Sequence, residues 1–199
     1  MIKAIAFDFG GVITKIGGLK ELREEYCKLF GIPYDVLTPV FRKNWYLWRD
    51  DKLNETQFWE NISKELGFDY NFEQVKAIMR AYHILNKDVM SFVKQIKGKY
   101  KIYILSNHVR EWFGDAIKRF GFEELFDGIF TSYDVKVSKP EKEIYLKFLE
   151  RFGIKGEECA FIDDRQENVK AADELGIKGI MFTNFEQMKS DLKKLDVEV

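Results

Sequence analysis

The chain is poor in cysteine, in net charge and in long apolar runs, and each shortage removes a class of protein. Its two cysteines, Cys27 and Cys159, stand far apart without metal-ligand spacing. That argues against a disulfide framework and leaves them as small, reduced core residues. Lys plus Arg (32) nearly balances Asp plus Glu (33), so no overall field draws the chain to nucleic acid or to an anionic membrane. Any anion it binds must be held locally. The opening MIKAIAFDFGGVI is apolar but broken by Lys3 and Asp8, lacks a basic leader and is too short to span a bilayer. A cytoplasmic location without a membrane partner is therefore expected. There is no internal repeat and no low-complexity tract.

What the chain does contain is an alternation of two patterns. Residues 2–7 form a short apolar run of the kind found in buried parallel strands, ending at a Gly-Gly pair. Similar runs lie at 101–106, 128–132, 159–163 and 176–182, and helical periodicities separate them at 109–120, 141–152 and 165–175. Strands alternating with helices predict an α/β fold, a doubly wound parallel sheet with helices on both faces. The stretch 16–81 differs, because it offers only helical periodicities, at 19–30, 34–48, 54–66 and 72–82. It reads as an all-helical module inserted after the first strand, with residues 1–15 and 82–199 forming the sheet domain. Asn54 with Gln57 forms a capping pair and Gly67 a helix stop. The aromatic set Phe41, Trp45, Trp48, Phe58 and Trp59 repeats at helical spacing and is expected in the core of that module, with some of it facing a substrate. Arg42, Arg49 and Arg80 read as solvated charges, any one of which could clamp a substrate anion.

In an open parallel sheet, ligands bind at the carboxyl ends of the strands, where loops and helix N-termini bring unpaired backbone donors together. The residues expected there are Asp8, Ser106, Asn107, Asp163 and Asp164, with Lys139 just ahead of a helix. Gly10 and Gly11 suit a tight turn in which backbone approaches a ligand. Three carboxylates, an ammonium and a hydroxyl would be costly in an apolar setting unless a ligand balanced them. A divalent metal together with a phosphate would do so. Hard oxygen donors suit Mg²⁺, which takes one or two carboxylates beside phosphate oxygens.

On the motifs FDFGGV (7–12), ILSN (104–107), SKP (138–140) and FIDDRQENV (161–169), in that order, the chain resembles the haloacid dehalogenase-like superfamily. The resemblance implies a Mg²⁺-dependent hydrolase of small phosphate esters, monomeric or homodimeric, with residues 16–81 as its cap. It makes Asp8 the nucleophile and a metal ligand with the Gly10 carbonyl, and Asp163 and Asp164 the ligands from the far side. Ser106 and the backbone of Asn107 would grip the phosphoryl oxygens beside Gly11, and Lys139 would neutralise charge on Asp8 and phosphate. Asn168 would orient Asp164 or cap its own helix.

One position departs from the usual phosphatase pattern. The aspartate that serves such enzymes as general acid and base two residues after the nucleophile is replaced by Gly10. His108 is the nearest titratable group in sequence that could donate a proton instead. Without such help the enzyme should favour good leaving groups. Three other functions fit the same motifs: a metal-free 2-haloacid dehalogenase, a phosphomutase, and a phosphate- and metal-binding relative without turnover.

Overall fold

The computed structural model describes residues 1–198. The five apolar runs become parallel strands, β1 (Ala4–Phe7), β2 (Lys101–Ser106), β3 (Gly128–Thr131), β4 (Cys159–Asp163) and β5 (Lys178–Met181). They lie in the order β3-β2-β1-β4-β5. This order decides where chemistry can happen, because β1 is central and pairs with both β2 and β4. Phe7 lies beside Ile104 on one side and Ile162 on the other, so the chain segments leaving these three strands emerge together.

Side chains alternate across the sheet with the strand period of two. Ile5, Phe7, Ile102 and Ile104 face one core, shared with helix α5 (Lys87–Ile96). Ala4, Ala6, Tyr103 and Leu105 face the opposite core, where α9 (Lys142–Phe152) packs. The remaining helices of the sheet layer are α6 (Arg110–Phe120), the single-turn α7 (Phe122–Leu125) and α8 (Ser132–Val135), then α10 (Gln166–Asp173) and α11 (Phe185–Lys194). Several expected boundaries contract, among them 2–7 to β1. The run 176–182 pairs only over β5, because Gly176 turns with φ of +80°, and the helix expected at 165–175 ends at Asp173.

The stretch 16–81 is helical throughout its regular structure, as expected: α1 (Lys20–Phe30), α2 (Tyr34–Arg49), α3 (Glu55–Leu66) and α4 (Phe72–Tyr82). At the start of α3 the Gln57 amide donates to Asn54 Oδ1 at 2.9 Å, and the Asn54 amide donates to Gln57 Oε1 at 3.0 Å. Gly67 closes the helix in the left-handed conformation. Tyr26, Phe41, Trp48, Phe58 and Trp59 are fully or nearly fully buried together.

That cluster does not close on itself. Val109 and Trp112, from the start of α6, complete it. Two indoles tie the layers: Trp48 Nε1 donates to Glu111 Oε2 and Trp112 Nε1 donates to Glu55 Oε1, both at 2.7 Å. Where the chain leaves and re-enters the sheet layer, its two passages run antiparallel, with Thr14 bridged to Leu85. The Lys15 amide donates to the Ile84 carbonyl and the Asn86 amide to that of Ile13, each at 2.8 Å.

Phe58 is fully buried among Phe41, Trp48 and Trp59. Phe58→Ala is expected to lower the free energy of unfolding by about 3–5 kcal/mol, read from urea denaturation.

Candidate active site

Asp8 follows β1 directly and is anchored before any ligand arrives. Its Oδ1 accepts from the Phe9 amide at 2.7 Å and pairs with Lys139 Nζ at 2.9 Å. Gly11, with φ of +77°, lets the chain turn tightly enough to do this. The Lys139 ammonium is itself buried, and it donates to Asp163 Oδ2 at 2.7 Å and to the Leu105 carbonyl at 2.9 Å. One cation therefore links the ends of β1, β2 and β4.

Lys139 comes from a loop, so something must hold that loop. Asn107 does: its Nδ2 donates to the Lys139 carbonyl and its Oδ1 accepts from the Lys139 amide, both at 2.9 Å. The Asn107 side chain is thereby committed, which leaves only its backbone for a ligand. Asp163 is completely buried and accepts from Asn168 Nδ2 at 2.9 and 3.0 Å and from the Arg165 amide at 2.9 Å. The expectation that Asn168 orients Asp164 or caps its helix is thus corrected: its amide reaches Asp163, whose oxygens lie on its side of the turn.

Asp164 has no such partners and lies against the backbone of Gly11 and Gly17. A side chain on either glycine would collide with its carboxylate. Asp8, Asp163 and Asp164 each offer an oxygen such that all three lie within 4.8 Å of one another. Burial pushes Asp8 up to about 7, against the attraction of Lys139 and with further upward pressure from Asp163 and Asp164. Burial and then the Asp163 charge also raise Asp164. For Lys139 burial works downward, but Asp8 and Asp163 outweigh it and the ammonium is held above its ordinary range. Three carboxylates around one ammonium leave surplus negative charge, and an all-oxygen donor set of this kind fits Mg²⁺.

The cluster opens into a cleft of about 610 Å³. Asp8, Gly10, Asn107, Lys139 and Asp164 lie on its sheet side. Arg23, Phe41, Arg42 and Trp45 line it from the helical side. Gly11, next to Gly10, and Ser106, next to Asn107, do not border it, and Ser106 is buried at the end of β2. Arg49 borders the cleft paired with Asp50, whereas Arg80 pairs with Asp115 elsewhere. Sequence reading missed Arg23, Tyr82, His83 and Gly17, all at the cleft. Gly17 follows an exposed-looking turn and the others sit in helical or linker patterns, so only the small Gly-Gly pair at 17–18 gave a signal.

His108, the nearest titratable group in sequence, borders the cleft as a partly buried rim residue. Burial pushes its pKa down to about 4, and its Nδ1 accepts from the Val109 amide at 2.9 Å. Near pH 7 the ring is therefore neutral and not an imidazolium acid. A Cβ at Gly10 would meet the backbone of Gly17, at 3.3 Å.

The family model for haloacid dehalogenase-like hydrolases matches residues 2–176. A flavin mononucleotide hydrolase of Arabidopsis thaliana is 27% identical over 134 residues, 67% of this chain and 54% of that protein. The chain thus spans about half the length of that relative. A D-ribitol-5-phosphate phosphatase of Bacteroides thetaiotaomicron is 24% identical over 203 residues, 96% of this chain and 97% of its own. A haloacid dehalogenase family enzyme of Bacteroides thetaiotaomicron, solved in complex with magnesium and inorganic phosphate, superposes with a TM-score of 0.79. It is 24% identical, and the match covers 91% of this chain and 94% of that one.

His83, buried against Phe9, is pushed down to about 3, first by burial and then by the charges of His108 and Arg119. Below about pH 6.5 the unfolded chain takes up a proton that the folded chain refuses. The stability contributed by the neutral ring is complete above that pH and is lost as pH falls towards 3. Relative to the wild type, His83→Leu should therefore gain up to about 1.4 kcal/mol per pH unit between pH 6 and 4, measured by urea unfolding at constant Mg²⁺.

Proposed function

Because the chain belongs to the haloacid dehalogenase-like hydrolases, we propose that it is a Mg²⁺-dependent phosphatase that hydrolyses a small phosphorylated metabolite through a phosphorylated Asp8. The observation that carries this reading is the buried Asp8–Lys139–Asp163 chain with Asp164 at its edge. Relatives named as phosphatases of ribitol 5-phosphate and of other phosphorylated carbohydrates support a sugar-phosphate-sized substrate.

In this reading the Asp8 carboxylate attacks phosphorus, the bond from phosphorus to the ester oxygen breaks, and the leaving oxygen departs with the electron pair and takes a proton from solvent. Water then attacks the aspartyl-phosphate, which releases inorganic phosphate and restores Asp8. Lys139 keeps the attacking carboxylate oriented and offsets charge on the incoming phosphate. Asp8, Asp164 and the Gly10 carbonyl would hold Mg²⁺, with Asp163 contributing its charge from behind and fixing Lys139. The metal would supply the positive charge that lets a dianionic phosphate approach a carboxylate. Backbone N–H groups around Gly11 and Asn107 would hold the phosphoryl oxygens. The helical stretch 16–81 acts as the cap over these groups and selects the substrate's remaining part.

Dehalogenation is the weaker reading, since a haloacid would bring its own carboxylate to Asp163 and Asp164 without a phosphate to justify the metal.

Asp8→Asn should lower turnover of a phosphate-ester panel by at least about 10³-fold, and EDTA should abolish wild-type turnover until Mg²⁺ is restored. Activity indifferent to both the substitution and the chelator would remove the proposal. With Gly10 in the acid position, rates on aryl phosphates should fall steeply as leaving-group pKa rises. A flat dependence over the series would show that a proton donor operates after all.

A further inference from the structure

The helical side of the cleft holds a charge that the reaction at Asp8 does not use. Arg23, on α1, is only 5% exposed, yet among the described residues no carboxylate lies within ion-pairing distance of it. Its Nη2 donates to the Tyr34 hydroxyl at 2.7 Å, and its guanidinium lies 5.4 Å from the Tyr34 ring centre and 5.9 Å from that of Phe41. Its Nε has no acceptor at all. The contrast with the other buried cation is direct, because Lys139 has two carboxylates within 2.9 Å. A buried charge without a counter-ion costs several kcal/mol and persists where something else supplies the partner.

One further buried group on the same wall lacks a partner, and an exposed cation stands at the same cleft. The Tyr82 hydroxyl is buried without a hydrogen bond. Its phenol is raised by burial and by the exposed Glu21 carboxylate and lowered by the Arg23 charge, so Tyr82 lies close enough to Arg23 to interact. Arg42, also at the cleft, forms no ion pair among the described residues. The Arg23 guanidinium, whose side-chain hydrogen bond among the described residues goes to Tyr34 alone, thus borders one cavity with the unpartnered Tyr82 hydroxyl and the exposed Arg42. The cleft carries anion-seeking groups at two separate places.

We propose that Arg23, with Tyr82 and Arg42, forms a second anion subsite, and that the substrate is a phosphate ester bearing another anionic group, carboxylate or phosphate, away from the bond that breaks. This builds on the phosphatase reading and specifies its substrate class. Arginine suits the task because its planar fork binds carboxylate or phosphate through paired hydrogen bonds. Phe41 and Trp45 line the cleft beside these donors, with Phe41 against the Arg23 guanidinium.

The test compares matched substrates that differ in one anionic group: glycerol 3-phosphate with 3-phosphoglycerate, glucose 6-phosphate with 6-phosphogluconate, and fructose 6-phosphate with fructose 1,6-bisphosphate. In at least one pair the doubly anionic member should be preferred by about tenfold or more in kcat/KM. Arg23→Gln should erase that preference through KM, and Arg23→Lys should keep part of it. No preference in any pair, or an equal fall for both members of a pair in Arg23→Gln, would overturn the proposal. Binding without turnover is read separately from tryptophan fluorescence of Asp8→Asn with Mg²⁺, since Trp45 and Trp112 border the cleft. Absence of wild-type turnover on every compound would refute the phosphatase reading alone. Tighter binding of doubly anionic compounds, lost when Arg23→Gln is added to Asp8→Asn, would still support the subsite, and equal binding would refute it.

Discussion

The ammonium of Lys139, held in the dark between Asp8 and Asp163, is the interaction on which the rest of the site depends. A lysine this deeply buried stays charged only because two carboxylates surround it, and those carboxylates stay close to each other only because it separates them. Each partner is secured in turn: Asp8 by the Phe9 amide, Lys139 by the double grip of Asn107 on its backbone, Asp163 by the amide of Asn168. The strand order is what makes this possible. With β1 between β2 and β4, residues from widely separated sequence arrive at one point, and the sheet's own hydrogen bonds fix their spacing.

Much of this was legible beforehand. The apolar runs, interrupted by helical periods, yielded the parallel sheet because strands buried on both faces need no polar alternation. Asp8, Asp163, Asp164 and Lys139 were legible because ionisable groups at strand ends demand a ligand. Asn107 was legible as a residue but not in its role, since a side chain that clamps a distant backbone leaves no spacing pattern. Asn168 was assigned to the wrong aspartate for a related reason: adjacent residues at a strand end point to opposite sides, and which side a helix residue can reach depends on the turn between them. Arg23 was invisible. On a helix wheel it reads as one more surface charge, and only packing reveals that Tyr34 and Phe41 enclose it.

The helical layer looked from its sequence like a unit with its own core, and its aromatic residues do pack together. Trp112 and Val109 complete that core from α6, which begins just past the Ser106–Asn107 end of β2. The same helix turn that follows the candidate phosphate-binding segment therefore supports the wall opposite it. Packing on one side of the cleft is transmitted to the other through two indole–carboxylate bonds, Trp48 to Glu111 and Trp112 to Glu55.

The paired passages at Thr14 and Leu85 have an evolutionary reading. Since the departing and returning strands are stitched side by side, the sheet experiences everything between them as a single loop, whatever its length. Lineages sharing this scaffold could lengthen, shrink or trade the intervening helices without altering strand register, and so acquire new selectivity cheaply. In this chain the freedom is narrower. Any replacement would inherit an orphaned Trp112 on α6, and it would have to bring its own acceptor for that indole.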